Sequence, residues 1–255
     1  MIYLSSLDSP SFQKESPFKV AIDPKRIPEH IAIVMDGNRR WARHKGLPAI
    51  AGHARGADML FAIVKAAKAI GVKILTVYAF STENWHRSSI EIEALMYLFK
   101  KTLRDEREFM RTQGVRLSTI GCLERFPKDV LEEIDISKEA TADGGSLDLV
   151  LALNYGGRDD IRRAAQRILE DYSAGRLPTR DITEAIFSNY LYTAQWKDPD
   201  LFIRTSGEKR LSNFLLWQLS YAEVYITDVL WPDFDEKELL LAIADFQKRD
   251  RRCGS

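Results

Sequence analysis

Residues 31–43 read Ile31-Ala32-Ile33-Val34-Met35-Asp36-Gly37-Asn38-Arg39-Arg40-Trp41-Ala42-Arg43, an apolar run that stops at an acid, a glycine and an asparagine. The pattern predicts a buried strand that delivers the Asp36 carboxylate to a turn. Gly37 and Asn38 are residue types that tolerate left-handed backbone, so that their N–H groups can converge on an anion, and Arg39, Arg40 and Arg43 follow on what reads as the first turns of a helix. One carboxylate beside several cations suits a Mg²⁺-bound phosphate group, because the metal takes hard oxygen ligands while phosphate oxygens take arginine forks and backbone donors. Taken alone, the stretch is equally well explained as an Asx-type turn leaving a strand, with its basic residues on a solvated helix face.

Working outward, residues 46–53 read as a turn-rich connection, and Met59, Ile63, Ala66, Ala67 and Ile70 mark the apolar face of a helix closed by Gly71. Residues 73–80 form a β-rich run ending in Ser81-Thr82-Glu83-Asn84-Trp85-His86-Arg87. A long helix is predicted over 90–113, with Ile92, Leu95, Met96, Phe99 and Leu103 at helical spacing and Gly114 at its end. Further strands are expected over 115–120, 147–153, 200–203 and 222–227, with helices over 127–143, up to Ser173, after Asp181 and over 235–249. Residues 1–29, rich in Ser, Pro and Lys without periodicity, read as a flexible lead-in to a domain over 30–252.

Strands alternating with helices imply a single α/β domain, with a mostly parallel six-stranded sheet flanked by helices. In such sheets ligands sit at the carboxyl ends of the strands. Four strands end in polar clusters: 36–40, 81–87, Asn154-Tyr155-Gly156-Gly157-Arg158, and Arg204-Thr205-Ser206-Gly207-Glu208-Lys209-Arg210. One such cluster would mean little, whereas four at equivalent ends point to a composite anion site. Its arginines (40, 43, 87, 158, 204 and 210) exceed what one monophosphate needs, which favours a diphosphate or two phosphorylated substrates. The apolar helix faces beside these loops leave room for a greasy cleft, although ordinary core packing explains each face by itself.

Thirty-seven basic residues balance thirty-seven acidic ones, so no global field favours nucleic acid or an anionic membrane, and an anion site has to be locally concentrated. Cys122 and Cys253 lie far apart without metal-ligand spacing, as expected in a reducing, cytoplasmic compartment. No run approaches the roughly 20 apolar residues that cross a bilayer. Walker-type and G-x-G-x-x-G loops are both missing from the sequence, which weakens a nucleotide-binding reading. An aspartyl-phosphatase reading is weakened by Asn38, which stands where a second acid is usual. Asp159-Asp160 reads as a helix start favoured by the dipole, since Arg163 closes the segment where an aspartate-rich metal motif needs an acid.

The blocks Met35–Ala42, Gly52-His53, Tyr78–Trp85, Asn154–Arg158, Ile203–Glu208 and Arg210–Gln218, continued through Glu223 to Leu230-Trp231-Pro232-Asp233-Phe234, together resemble the cis-prenyltransferase family, its bacterial undecaprenyl diphosphate synthases above all. The likeness runs from about His30 to Arg252 in the family's order. It implies a homodimeric, Mg²⁺-dependent enzyme that condenses an allylic diphosphate with isopentenyl diphosphate and builds a Z double bond at each addition. By position it implies that Asp36 holds Mg²⁺. The resemblance likewise implies that Gly37, Asn38, Arg39, Arg40 and His53 would grip the allylic diphosphate and that Asn84 would assist proton loss. It implies that Trp41, Ser81, Thr82, Glu83, Trp85 and Arg87 would line the substrate pocket. It further implies that Arg204, Arg210, Leu211 and Ser212 would hold isopentenyl diphosphate, with Glu223 as a further metal ligand near the dimer interface.

Departures from the family pattern are Ala49 in place of a usual Arg, Lys209 for His in some members, Ser88 for a common Pro, and Cys122 for a common Asp. The first removes one cationic contact to the allylic diphosphate. Two other readings carry different consequences: a non-catalytic subunit of a two-component prenyltransferase, and a Mg²⁺-dependent phosphohydrolase. The basic end Lys248-Arg249-Asp250-Arg251-Arg252 either complements the dipole of the last helix or touches anionic lipid.

Overall fold

The strand β1 (His30–Val34) is buried along its whole length, and it pairs in parallel with β2 (Ile74–Ser81) on one side and β5 (Leu201–Arg204) on the other. In this computed structural model, which describes residues 20–249, β4 (Leu147–Tyr155) joins β2, β3 (Val115–Ile120) joins β4, and β6 (Glu223–Ile226) joins β5. The sheet order is β3-β4-β2-β1-β5-β6, with every pair parallel. The near-continuous apolar strands at its centre are what burial on both faces requires. The four strands whose tips carry polar clusters, β4, β2, β1 and β5, are contiguous.

Helices cover both faces. On one side α2 (Ala49–Ile70), α3 (Ser89–Thr112), α4 (Lys128–Ala140) and α7 (Glu236–Gln247) pack around a core that includes Ile31, Ile33, Leu75, Leu149 and Ile203. On the other, a smaller cluster of Ala32, Val150, Tyr155, Phe202 and Phe214 backs the sheet beside α5 (Gly157–Ser173) and the short α6 (Glu184–Ser188). The short α1 (Asn38–His44) leaves the β1 tip through Gly37, whose φ of 108° is the left-handed geometry that glycine supplies.

One element begins earlier than its sequence pattern indicates. Residues 49–53 belong to α2 instead of a turn, because Pro48 starts the helix and Gly52 and Gly56 serve packing. A Cβ at Gly52 would lie 2.0 Å from the Asn38 carbonyl oxygen, and one at Gly56 would lie 2.3 Å from Asn38 Oδ1. The two glycines thus let α2 press against the start of α1. The expected lead-in divides: residues 1–19 lie outside the described residues, whereas Ile22 is buried and Gln247 of α7 clasps the 23–26 backbone, donating to the Asp23 and Arg26 carbonyls and accepting from Asp23 N–H. At the other end Arg249 pairs with Glu223 and Asp245, and residues 250–252 lie outside the described residues.

Because the Gly52 clash is with backbone, Gly52→Ala is expected to cost about 2–3 kcal/mol in urea unfolding. Gly145→Ala, where nothing lies within 4 Å, is expected to stay within about 0.5 kcal/mol of the wild type.

Candidate active site

Asp36 sits at the tip of β1, clasped from β5. Thr205 Oγ1 donates to the Asp36 carbonyl at 2.7 Å and accepts from the Asp36 N–H at 2.9 Å. Trp231 N–H donates to the same carbonyl at 3.0 Å, while its indole reaches the Gly56 carbonyl at 2.8 Å. Backbone on both sides therefore fixes where the carboxylate points. Its Oδ1 accepts from Gly37 N–H at 2.8 Å and its Oδ2 from Arg204 Nη2 at 2.9 Å. The Arg204 side chain is only 3% exposed, and its other nitrogen Nη1 donates to Ser212 Oγ at 2.8 Å and to the Arg210 carbonyl.

Two sets of basic side chains flank this acid. The first is Arg39, His53 and Arg87, from α1, α2 and the loop after β2, grouped around Glu91 at the start of α3. Burial, with help from Arg87, pushes the His53 imidazole down from 6.5 to about 4, so the ring is neutral at pH 7. The second set is Arg204 with Arg40 and Arg210, both of which donate to Glu208. Arg210 foremost, and then Arg40, hold the Glu208 carboxyl below its ordinary value. Four of the buried polar atoms without a protein partner border these sets: Asn38 Oδ1, His53 Nε2, Arg204 Nε and Ser206 Oγ. Such atoms are costly unless a polar ligand meets them.

Beside the first set, Asn38 and His53 also line an apolar cavity of about 120 Å³ that runs between α2 and α3, walled by Leu60, Phe61, Met96, Phe99, Leu103 and Phe126. The second set has no such neighbour among the described cavities. The arrangement is two anion grips sharing one acid, only one of them opening onto a greasy chamber. That is the geometry for a substrate with a charged head and a hydrocarbon tail.

Residues 34–254 match the family model described as “Putative undecaprenyl diphosphate synthase”. The chain belongs to the undecaprenyl diphosphate synthase family of cis-prenyltransferases. It is 50% identical over 233 residues to an isoprenyl transferase of Prochlorococcus marinus, covering 91% of this chain and 86% of that one. It is 47% identical over 240 residues to an isoprenyl transferase of Clostridium perfringens, covering 94% and 95%. Among solved structures, lavandulyl diphosphate synthase from Lavandula x intermedia, in complex with dimethylallyl diphosphate, superposes with a TM-score of 0.88 at 38% identity, covering 91% of this chain and 100% of that one. A “probable undecaprenyl diphosphate synthase” from Campylobacter jejuni gives 0.75 at 34%, covering 89% and 99%.

Against the family pattern, most of the residues marked in the sequence converge. Ser81 and Asn84 cap the turn after β2 reciprocally, with Asn84 Oδ1 accepting from Ser81 N–H at 3.1 Å. Thr82 lies against Gly156, and Glu83 accepts from Asn213 Nδ2 at 3.2 Å. Burial alone would raise the Glu83 carboxyl, but hydrogen bonds from its own backbone, Ser81, Asn213 and Thr82 outweigh it and lower the value. Trp85 donates to Asn154 Oδ1 at 2.8 Å, and Leu211 packs on the smaller core behind Ser212. Two residues stand apart. The Trp41 indole is turned to Asp233 at 2.8 Å and does not line the cavity. Glu223 is level with Leu201 and Ile31, three residues short of the carboxyl ends, and pairs with Arg249 at 2.9 Å. Within one chain that is roughly 10 Å below the strand ends, and Asp36 lies two residues beyond them.

Sequence reasoning passed over Glu91, and it named Thr205 and Glu208 only as part of the 204–210 cluster, without a role of their own. Among the described residues no three His, Cys, Asp or Glu side chains converge on a common point. Asp36 is the carboxylate of this edge that would hold a hard cation, with phosphate oxygens and water as the other oxygen donors available to it.

Since the His53 pKa is lower folded than unfolded, its contribution to stability is complete above pH 6.5 and is lost as the pH falls toward 4. Between pH 7 and pH 4.5 the wild type is expected to lose about 2 kcal/mol more than His53→Gln, measured by urea unfolding. His30, displaced in the same direction, is common to both proteins and cancels.

Proposed function

We propose that this prenyltransferase is Mg²⁺-dependent and extends farnesyl diphosphate with isopentenyl diphosphate, through successive Z additions, to a long-chain polyprenyl diphosphate of the undecaprenyl class, the lipid-carrier precursor in cell-wall synthesis. The observation that carries this reading is the pair of cation sets on either side of Asp36, with the apolar cavity opening only beside the first. The starter's diphosphate lies on Arg39, His53 and the free N–H groups at the start of α1, and its tail enters the cavity. Isopentenyl diphosphate lies on Arg204, Arg210 and Ser212. A neighbour of the same fold held with dimethylallyl diphosphate supports an allylic diphosphate in the first position.

Asp36 holds the metal, whose positive charge, when bound, stabilises the departing diphosphate. As the allylic C–O bond breaks, its electron pair leaves with the diphosphate. The isopentenyl double bond attacks the carbon so exposed through its terminal carbon, which leaves the positive charge on the inner alkene carbon; the methylene between that carbon and the diphosphate-bearing carbon then loses a proton, and the C–H pair becomes the new double bond. The second diphosphate needs only positioning, for which arginine forks suffice. Asn84 Oδ1 is committed to Ser81, so its amide N–H groups act, orienting the diphosphate oxygen or water that takes the proton.

The same reading makes the enzyme a homodimer. β6 is an edge strand, with Val224 43% exposed and Tyr221 before it 77% exposed, and edges of this kind are normally paired or covered. Glu223 at the foot of that edge reaches a metal only in such an assembly. No helix among the described residues is long and apolar enough to cross a membrane. The product is instead handed to a bilayer from a peripheral position.

Incubation with Mg²⁺, farnesyl diphosphate and labelled isopentenyl diphosphate is expected to give chain extension that a chelator abolishes, with product chromatography reading the length. No reaction would favour the non-catalytic subunit, and bare phosphate release the phosphohydrolase. Asn84→Ala is expected to lower kcat by about 10²-fold or more with both KM values within a few-fold, as for loss of a proton-transfer group. Ala49 lies one turn before His53 on the same side of α2, so Ala49→Arg is expected to lower the KM for the allylic substrate and leave that for isopentenyl diphosphate unchanged.

A further inference from the structure

We propose that Asn154 is a positioning residue for the proton-loss step: its amide ties the Trp85 indole to the exit of β3 and so aims the neighbouring Asn84 amide at the reacting carbons. Of the four polar clusters at strand tips, the one over 154–158 has no part in gripping either diphosphate. Asn154 heads that cluster, one residue before the end of β4, with 7% of its surface exposed.

Its Oδ1 accepts from the Trp85 indole N–H at 2.8 Å, and its Nδ2 donates to the Cys122 carbonyl at 2.6 Å. The Cys122 N–H returns a bond to the Asn154 carbonyl at 3.4 Å. An indole N–H only donates and a backbone carbonyl only accepts, so the position calls for a side chain with one acceptor and one donor. An amide supplies both, whereas a carboxylate would set an oxygen against the Cys122 carbonyl. Asn154 also has a φ of 45°, in the left-handed region that asparagine enters more readily than most residues. Backbone of this kind persists only where its surroundings over-determine it, and such positions cluster at functional sites.

The same indole is held on its other sides. The Arg125 guanidinium lies 4.4 Å from the ring centre, and Phe80 and Phe126 meet it edge-on with centroids at 4.9 and 5.7 Å. Phe80 and Phe126 line the inner cavity, while Trp85 borders the groove between α3 and α4. Trp85 therefore anchors its own segment and leaves the cavity wall to its neighbours. That segment, Thr82–His86, is a 3₁₀ turn, in which successive side chains project about 120° apart. Fixing the Trp85 ring thus sets the direction of Asn84, whose Oδ1 is in turn bonded to the Ser81 N–H. The proposal rests on the reading that the Asn84 N–H groups orient the proton acceptor.

The test uses the full chain with Mg²⁺, farnesyl diphosphate and isopentenyl diphosphate, the last either unlabelled or deuterated at the methylene that loses the proton. Asn154→Gly removes both side-chain bonds at a φ that glycine adopts freely, and Trp85→Phe removes the N–H but keeps an aromatic ring. Each is expected to lower kcat about tenfold, the size of one hydrogen bond lost from a positioned group, with both KM values within a few-fold. The double variant is expected to fall no further than the slower single one, because both substitutions break the same link. Slower proton loss enlarges the deuterium isotope effect on kcat, so Asn154→Gly, Trp85→Phe and Asn84→Ala are all expected to exceed the wild type in it. Wild-type kcat in both variants, additive losses, a rise in KM with kcat unchanged, or a slower Asn154→Gly without the isotope effect that Asn84→Ala shows overturns the proposal. If Asn154→Gly does not fold, Trp85→Phe decides by the same kcat, KM and isotope readings. An Asn84→Ala with neither loss of turnover nor an isotope effect overturns the functional reading of Asn84 as well, so the two failures are distinct.

Discussion

An arginine buried to 3% exposure, with a single carboxylate as its counter-charge, sets the geometry at the carboxyl end of the sheet. Arg204 cannot be taken out of water without a partner, and Asp36 is the partner, since removing one member of a buried pair leaves the other charge uncompensated. The pair ties the tip of β1 to the tip of β5, and Thr205 repeats the tie through backbone on the Asp36 peptide. Around it the chain accepts unusual backbone: Ser206, Ser212 and Asn213 all have positive φ. Such conformations persist only where surrounding contacts over-determine them. Here the contacts are the Arg204 bond to Ser212 and the Asn213 bonds to Glu83, Gly157 and Arg158. Asp36 therefore has two duties: it anchors a buried cation with one oxygen edge while remaining 32% exposed toward a ligand.

The arginines of the site are held by carboxylates of the chain itself. Asp36 serves Arg204, Glu208 serves Arg40 and Arg210, and Glu91 serves Arg87 and Arg39. This lets a chain with equal numbers of acidic and basic residues concentrate cations at one edge without their mutual repulsion opening the site. It also fixes the guanidinium planes before substrate arrives, which reduces the ordering cost of binding. The three acids differ in consequence. Asp36 stays with its arginine and keeps an exposed face, Glu208 bridges two cations, and Glu91 stands on the helix that also walls the apolar cavity.

The parallel sheet and the shared edge of its polar tips were legible because the central strands are apolar runs that end abruptly in polar residues, and a parallel sheet aligns such ends; the strand order was not. The start of α2 was hidden by Gly52 and Gly56, which read as turn residues but are there because Asn38 approaches too closely for any side chain. Glu91 was hidden by a local pattern, Ser88 to Glu91, that has a sufficient explanation as a helix cap. Glu208 joins its neighbour Arg210 to Arg40, 168 positions away in sequence, and that second link is invisible locally. Trp41 was marked through the family resemblance, and its indole bond to Asp233, 192 positions away, has no trace in the local sequence.

The two walls of the tail cavity are unequal, and the inequality decides where room comes from. In α2, nine of 22 residues are buried, its glycines are wedged against Asn38, and Trp231 bonds to the Gly56 carbonyl. Shifting that wall would disturb the Asp36 turn itself, because Trp231 also holds the Asp36 carbonyl. α3 touches the reacting centre only through its first turn. Beyond it lies a groove of about 610 Å³ bounded by Arg104, Arg125 and Val130, and Met96 borders both this groove and the inner cavity. A helix with open space on its far side and few buried anchors gives way at lower cost than one wedged into the core. Precision at the diphosphates and compliance around the hydrocarbon are thus assigned to different helices, which allows a rigid reacting centre to stand beside a chamber whose contents change size.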